Sequence, residues 1–145
     1  MATDTTNKPF KKRIQTNRTL LKYIVFSFLT FGIYRIYIYT KISCEINKIA
    51  SKYDKKSTMN YLLINFIFAW FTFGLAHIVW HHNLSTRIGD ELRRRNAADD
   101  FGVADYWCWG ILGILVIIGP WVYVHKLLNA MNYLADEHNC ENYIN

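Results

Sequence analysis

Charged residues are missing from two long stretches of this 145-residue chain. Neither Tyr61–Trp80 nor Tyr106–Val124 contains an Asp, Glu, Lys or Arg, and a third apolar stretch, Leu20–Ile42, contains only three charged residues. A helix of 23 residues, the length of the third stretch, reaches about 34 Å, against about 30 Å for the hydrocarbon core of a bilayer. Because a soluble domain of this size buries only about two-thirds of its surface, it could not wrap three such stretches. The sequence therefore predicts an integral membrane protein, with the lipid bilayer as its partner.

Cysteine is also scarce, and the recurring catalytic motifs are absent. Cys44, Cys108 and Cys140 are odd in number and widely spaced, which fits neither a disulfide framework nor a zinc motif. The chain contains no G-x-S-x-G, no P-loop and no G-x-G-x-x-G. We therefore expect a protein that is not an enzyme and that uses no cofactor and no metal.

The net charge of +6 comes without a helix-turn-helix, zinc or RNP pattern. Nucleic acid is therefore not an expected partner. A basic run follows one of the amphipathic segments, and clusters of this kind beside a membrane are attracted to anionic lipid by about 1 kcal/mol per residue. We predict that Arg93, Arg94 and Arg95 contact lipid headgroups.

Each apolar stretch contains a glycine and continues into a tail in which apolar residues recur at helical spacing. Gly32, Gly74 and Gly119 lie 42 and 45 residues apart, which indicates three diverged copies of one unit. The predicted fold is all-α, with three tandem glycine-marked apolar helices that each continue as an amphipathic interfacial helix. The predicted divisions are a polar basic N-terminal segment at 1–17, a single membrane domain at 18–139 with units 18–56, 57–96 and 104–139, and a polar tail at 140–145.

The backbone of each unit has two possible courses. Lengths of 19 to 23 residues match a single membrane span, and glycine is common in spanning helices. Alternatively, Leu20–Phe31 is too short to cross, so a chain that turned back at Gly32 would form a hairpin and return to its side of entry. Hairpins would also keep three similar tails on one face of the membrane. We favour spans, and nine basic residues on one side against five on the other then place the N-terminus of a multi-pass cell-membrane protein in the cytoplasm.

Polar residues inside the apolar stretches suggest two functions. The leading hypothesis is a non-enzymatic scaffold or accessory module that packs with copies of itself or with another membrane protein and contacts anionic lipid. The alternative is a small channel or transporter subunit in which Arg35, Asn65 and His77 line a polar path. A metal site at His77, His81 and His82 is disfavoured, because no H-E-x-x-H motif, cysteine pair or nearby acid accompanies them.

A short signature links the first copy to a known family. Thr30-Phe31-Gly32-Ile33-Tyr34, then Tyr37, Tyr39 and Lys41, then Glu45-Ile46-Asn47 resemble the T-x-G-I-Y-x-x-Y-W-x-Y-K…E-L-N pattern of the DUF4234 family of small prokaryotic membrane proteins. Thr72-Phe73-Gly74-Leu75 is similar in the second copy, whereas Ile38 stands where the first-copy tryptophan is expected. The function of the family is unknown. The resemblance therefore implies a membrane protein and transfers no catalytic residue.

Overall fold

The computed structural model describes residues 13–144, and these residues form helices and connecting segments without a strand. In chain order the elements are α1 (Leu20–Leu29), α2 (Ile33–Asp54), α3 (Tyr61–Leu63), a π-helical segment (Ile64–Phe68), α4 (Ala69–Phe71), α5 (Leu75–Arg94), α6 (Val103–Asp105), a second π-helical segment (Tyr106–Ile111), a 3₁₀ helix (Leu112–Val116) and α7 (Gly119–Ile144). The all-α prediction is confirmed for this part of the chain. Most of the predicted N-terminal segment 1–17, with Lys8, Lys11 and Lys12, lies outside the described residues.

The elements form three hairpins, each made of a short leg, a tip and a long helix. They are hairpin 1 (residues 20–54), hairpin 2 (residues 61–94) and hairpin 3 (residues 103–144). In hairpin 1 the rings of Phe26 and Tyr34 lie 5.2 Å apart, and those of Tyr23 and Tyr39, further from the tip on both sides, lie 6.3 Å apart. This nested pairing means that the long helix returns alongside the short leg.

Threonine and glycine close the first two tips. The Thr30 hydroxyl donates to a carbonyl of the short leg at 2.7 Å and accepts from a backbone N–H of the long helix at 2.9 Å. Gly32 has a φ of +88°, in the left-handed region that favours glycine. Thr72 and Gly74 repeat both features in hairpin 2. The T-F-G string is therefore a turn that reverses the chain.

The third glycine has a different role. The left-handed residue in the tip of hairpin 3 is Ile117, with a φ of +63°, while Gly119 begins α7. A Cβ added to Gly119 would lie 2.3 Å from the Cα of Gly113. The two glycines thus allow the backbones of the short leg and the long helix to touch. The repeat glycine of the third unit therefore begins the long helix, whereas Gly32 and Gly74 lie in the turn itself.

None of the helices built by residues 13–144 is both long and apolar enough to cross a bilayer. The continuous helices expected through the apolar stretches are wrong, because a tip interrupts each stretch. Leu20–Ile42, for example, contains α1, a three-residue turn and the start of α2. The hairpin alternative describes the backbone. Residues 140–144 of the predicted tail are part of a helix, since α7 continues to Ile144.

The long helices α2, α5 and α7 run side by side in the same direction. Near the tips, the ring of His81 lies 4.9 Å from that of Tyr39 and 5.8 Å from that of Tyr123. Near the other end, Arg95, which directly follows α5, pairs with Glu137 of α7 at 3.1 Å. Between these levels, matching positions of the three helices form a core that is at most 1% exposed: Ile42, Leu84 and Leu127, then Ile46, Ile88 and Met131, then Ile49, Leu92 and Leu134. All three tips therefore lie at one end of the bundle.

Asparagine side chains hold the segments that lead into the hairpins. Asn47 of α2 bonds both the N–H and the carbonyl of Thr58 before hairpin 2, at 2.7 and 2.9 Å. Asn132 of α7 does the same for Arg18 before hairpin 1, at 3.1 and 2.7 Å. At the corresponding place in α5, Gly89 lets the backbone before hairpin 3 approach closely. Because the last long helix holds the first segment, the three hairpins form a closed ring.

Candidate functional site at the tips

The three tips expose large apolar side chains. Phe31 is 98% exposed, Phe73 99% and Ile117 80%. Their exposed apolar neighbours are Phe28, Leu29, Ile33, Trp70, Phe71, Leu75, Leu115, Val116 and Ile118. Because the three tips share one end of the bundle, these residues together form a surface that we call the apolar end. Surfaces of this kind mark contact with a membrane or a partner, because soluble monomers rarely expose large apolar patches.

Acidic residues are absent from the part of the sequence that builds the apolar end. Residues 19–44, 55–89 and 106–135 contain no Asp or Glu. Basic residues do occur there, among them Lys22 and Lys41 in hairpin 1. The border of the apolar end therefore carries positive charge without acidic residues from its own segments.

Aromatic rings close the space between the hairpins on the side of the bundle core. The ring of His81 stacks on that of Tyr106 at 5.6 Å and meets the edge of Tyr39. Its Nδ1 lies 3.2 Å from the Tyr123 hydroxyl, which also bonds the hydroxyl of Ser85 at 3.0 Å. Burial lowers the pKa of His81 to about 3 and raises the pKa of Tyr123. This aromatic layer is therefore buried and uncharged at neutral pH.

A cavity of about 610 Å³ lies between this layer and the tips. Hairpin 1, hairpin 3 and the start of α5 surround it, with apolar walls that include Phe28, Ile111 and Trp121. Arg35 and His77 also line it, and no acidic residue does. The cavity thus combines apolar walls with basic side chains.

The polar groups of the cavity are incompletely paired. Arg35 lies with its Cζ 5.9 Å from the Tyr39 ring centre and forms no ion pair with any residue in the described range. The Nδ1 of His77 and the hydroxyl of Ser27 are buried without a hydrogen-bond partner. Burial and, secondarily, the charge of Arg35 lower the pKa of His77. The cavity therefore holds one cation, Arg35, and two unpaired polar groups at neutral pH.

The residues of the predicted polar path separate in the structure. Arg35 and His77 line the same cavity, but Asn65 lies half-buried in the short leg of hairpin 2 and does not line it. The three residues therefore do not share one path.

The three predicted headgroup ligands lie at the end of α5 that is remote from the tips. The side chain of Arg95 is only 4% exposed and pairs with Glu91 at 2.8 Å. Arg94 also pairs with Glu91, and its guanidinium lies 3.5 Å from the ring centre of Tyr53. Arg93 is exposed. The expectation of headgroup contact is therefore wrong for Arg95, whose charge is buried in ion pairs, and Arg93 and Arg94 lie away from the apolar end.

The histidines do not converge. His81 faces Tyr123, whereas the Nδ1 of His82 accepts a hydrogen bond from the Trp107 indole at 3.1 Å. Within residues 13–144, no three His, Cys, Asp or Glu side chains are grouped so that they could hold a metal ion.

Two buried polar contacts between elements were missed by the sequence analysis. Arg18 pairs with Glu45, and both side chains are buried. Arg87 of α5 bonds Asp54 and Asn47 of α2. Burial by itself would raise the pKa of Asp54, but the hydrogen bond from Arg87 helps to bring that pKa below its usual value. A usable signal was present, because Glu45 and Arg87 each follow a turn glycine by 13 residues and lie next to core positions. A charge beside a buried helix face requires a partner.

A second space, of about 930 Å³, lies along the outer side of α5. It is lined by charged residues of both signs, including Asp54, Arg87, Glu91 and Arg94. These charges already pair with one another, Arg87 with Asp54 and Arg94 with Glu91. Lys56 also lines this space and forms no ion pair within residues 13–144, but it is an exposed side chain at the rim, among charges of both signs.

Comparisons with known proteins give one result. No curated protein and no solved structure matches this chain significantly. The profile of a family described as a domain of unknown function, DUF4234, matches residues 18–90, which is half of the chain and covers hairpin 1 and most of hairpin 2. The matched range includes both T-F-G turns and the Glu45-Ile46-Asn47 string. The chain belongs to the DUF4234 family.

Proposed function

We propose that this protein is a monotopic membrane module whose three tips enter one leaflet of a bilayer while the bundle of long helices stays at the membrane surface. The observation that carries the proposal is the gathering of Phe31, Phe73, Ile117 and their exposed apolar neighbours at one end of the molecule. Burial of apolar surface in lipid stabilises such an arrangement by about 25 cal/mol per Å².

The length of the short legs supports this proposal. The ten residues of α1 extend about 15 Å, which is half of a hydrocarbon core of about 30 Å. A hairpin of this length enters one leaflet and returns. The backbone at the tips is also suited to this environment, because Thr30 and Thr72 bond backbone groups that the turn leaves without helical partners.

The charge distribution favours a membrane with anionic lipid. The segments that build the apolar end contain basic residues and no acids, so the headgroup region would meet Lys22 and Lys41 rather than carboxylates. Each such residue near an anionic surface contributes about 1 kcal/mol of attraction. By the positive-inside rule we assign the bundle to the cytoplasmic face of the cell membrane.

In this arrangement the protein acts as a non-enzymatic scaffold or accessory module. Its bundle presents a polar surface to a second copy or to another membrane protein, held at a fixed distance from the lipid. The alternative of a channel or transporter subunit is less favoured, because the aromatic layer around His81 closes the cavity that Arg35 and His77 share.

Vesicle flotation tests the insertion of the tips. Purified protein should float with vesicles of phosphatidylcholine and phosphatidylglycerol. The amount of protein that floats should fall about tenfold or more in the double variant Phe31→Asp, Phe73→Asp. Both residues have positive φ, at 50° and 47°. Aspartate tolerates that conformation better than phenylalanine does, so the fold should survive the change.

The matched control is the double variant Met59→Asp, Tyr133→Asp, which places the same two charges on exposed apolar residues outside the apolar end. It should float like the unmodified protein. Equal flotation of all three proteins, with circular dichroism showing that each is folded, would contradict the proposal.

A further inference from the structure

We propose that the cavity between the hairpins binds the anionic headgroup of an amphiphile, with Arg35 as its charge partner and the acyl chain extending along the apolar walls toward the tips. The inference rests on the proposed function in one respect, since the ligand is taken from the leaflet that the tips enter. Nothing in the role of a surface scaffold requires such a ligand.

Charge is the first argument for an anion. Arg35 is the one charged side chain that lines the cavity, and within residues 13–144 it has no carboxylate partner. Arg35 is an exposed residue that reaches from the open side of the cavity toward the Tyr39 ring and the Tyr61 hydroxyl, so its neutral neighbours leave its charge available to an anion. Its neighbours on the aromatic side are the phenols of Tyr23, Tyr39 and Tyr61, which are neutral at pH 7, and burial raises their pKa further. The missing counter-charge is therefore that of a ligand.

Hydrogen bonding is the second argument. Ser27 and His77 both line this cavity. The hydroxyl of Ser27 and the Nδ1 of His77 are buried, and neither has a hydrogen-bond partner. Buried polar groups in proteins are ordinarily paired, so two unpaired groups beside a cation that has no carboxylate partner point to a ligand that accepts hydrogen bonds. A carboxylate or a phosphate accepts from all three, and a guanidinium binds either anion through two parallel hydrogen bonds.

The walls and the closed floor determine the rest of the ligand. Phe28, Ile78, Ile111 and Trp121 line the cavity between the polar groups and the tips. A volume of about 610 Å³ lies within the range of about 300 to 1,000 Å³ that is typical of small-molecule sites. Because the aromatic layer around His81 closes the side toward the core, the ligand enters from the side of the apolar end. A free anion would leave these apolar walls uncovered, whereas an acyl chain covers them.

Retention of labelled probes by the full chain in a non-ionic detergent tests this site without a bilayer. The probes are palmitate, dioleoylphosphatidylglycerol, 1-hexadecanol and inorganic phosphate. We expect one palmitate or phosphatidylglycerol per chain, with the stronger of the two identifying the source of the headgroup. The uncharged alcohol and the chain-free phosphate should each bind at least tenfold more weakly.

The Arg35→Gln variant should bind the anionic amphiphile about tenfold to a hundredfold more weakly, as expected for the loss of a charge-assisted contact. Lys52→Gln is the matched control, because Lys52 lies on the same helix, is exposed and does not line the cavity. Should Arg35→Gln not fold, Ile111→Trp fills the cavity and should abolish binding. Equal binding of palmitate and hexadecanol, or an affinity unchanged in both variants, would overturn the inference.

Failure of this site and failure of membrane insertion give different results. Arg35→Gln should still float with vesicles, whereas Phe31→Asp, Phe73→Asp should still retain palmitate or phosphatidylglycerol in detergent. A protein that binds the amphiphile but does not float contradicts insertion of the tips alone, and a protein that floats without binding it contradicts the cavity site alone.

Discussion

His81 is the residue at which all three hairpins meet. Its ring contacts Tyr39 of hairpin 1, Trp80 of its own hairpin and both Tyr106 and Tyr123 of hairpin 3. The sequence marks His81 only as one of three nearby histidines, and its central position depends on side chains that are 25 or more residues away. Its burial and its hydrogen bond to the Tyr123 phenol give it a structural role between the hairpins.

The burial of His81 predicts a pH-dependent stability. Its pKa falls from 6.5 to about 3 in the folded protein, so the unfolded chain binds an extra proton between these values. The contribution of the neutral, buried imidazole to the free energy of unfolding is fully present above pH 6.5 and is lost as the pH falls. At pH 5 this loss amounts to about 2 kcal/mol. Urea unfolding measures the free energy of unfolding at pH 8 and at pH 5. The decrease between the two pH values should be about 2 kcal/mol smaller for His81→Gln than for the unmodified protein.

The control for this measurement is His125→Gln, because His125 lies on the exposed side of α7. This variant should lose as much stability between pH 8 and pH 5 as the unmodified protein does. If His81→Gln behaves in the same way as His125→Gln, the buried imidazole is not the origin of the acid sensitivity.

Arg93, Arg94 and Arg95 show how far a residue pattern can be interpreted without the fold. Adjacent residues on a helix point about 100° apart, so one run of arginines cannot present a single surface. Arg95 faces the interior of the bundle and pairs with acids of α5 and α7, whereas Arg93 faces solvent. The acids of α7 lie more than 40 residues away in the sequence, which is why composition alone predicted three equivalent headgroup ligands.

At the scale of the element, the repeated glycine predicted the location of the turns better than the apolar length predicted their nature. The lengths of 19 to 23 residues matched a membrane span only because both sides of a chain reversal were counted together. The combination of threonine, an aromatic residue and glycine is a local signal for the reversal, and it occurs twice. Hairpin 3 lacks this combination, and its turn therefore differs from the other two.

The turn conformation predicts opposite outcomes for two glycine substitutions. Gly32→Ala should lower the free energy of unfolding by about 1 to 2 kcal/mol, because the φ of +88° is unfavourable for alanine although no atom lies near the added Cβ. Gly102→Ala is the control, since its φ of −167° is extended and its surroundings are equally open. Gly102→Ala should change the free energy of unfolding by no more than about 0.5 kcal/mol. Urea titrations followed by circular dichroism measure both, and equal effects would contradict the role of Gly32.

At the scale of the whole molecule, the sequence contains a signal for the common direction of the long helices but none for the closure of the ring of hairpins. The similarity of the three amphipathic tails indicated that they belong on one face, and the parallel bundle of α2, α5 and α7 places them together. The closure of the ring was not predictable, because it depends on Asn132 holding Arg18 at a separation of 114 residues. No periodicity within a segment reports a contact of that range.

Cysteine labelling distinguishes a one-sided membrane protein from a multi-pass one. In a chain with Cys44, Cys108 and Cys140 replaced by serine, single cysteines at Ser57, Ala98 and, by restoration, Cys140 place one exposed label near the end of each hairpin's long helix, away from the tips. If the tips enter one leaflet and return, an impermeant maleimide should label all three positions from the cytoplasmic side and none from the opposite side. Single spans would instead put Ala98 on the side opposite to Ser57 and Cys140, which would contradict the monotopic arrangement. Labelling of all three in detergent shows that each cysteine is reactive, so protection in intact vesicles then reports the side of the membrane.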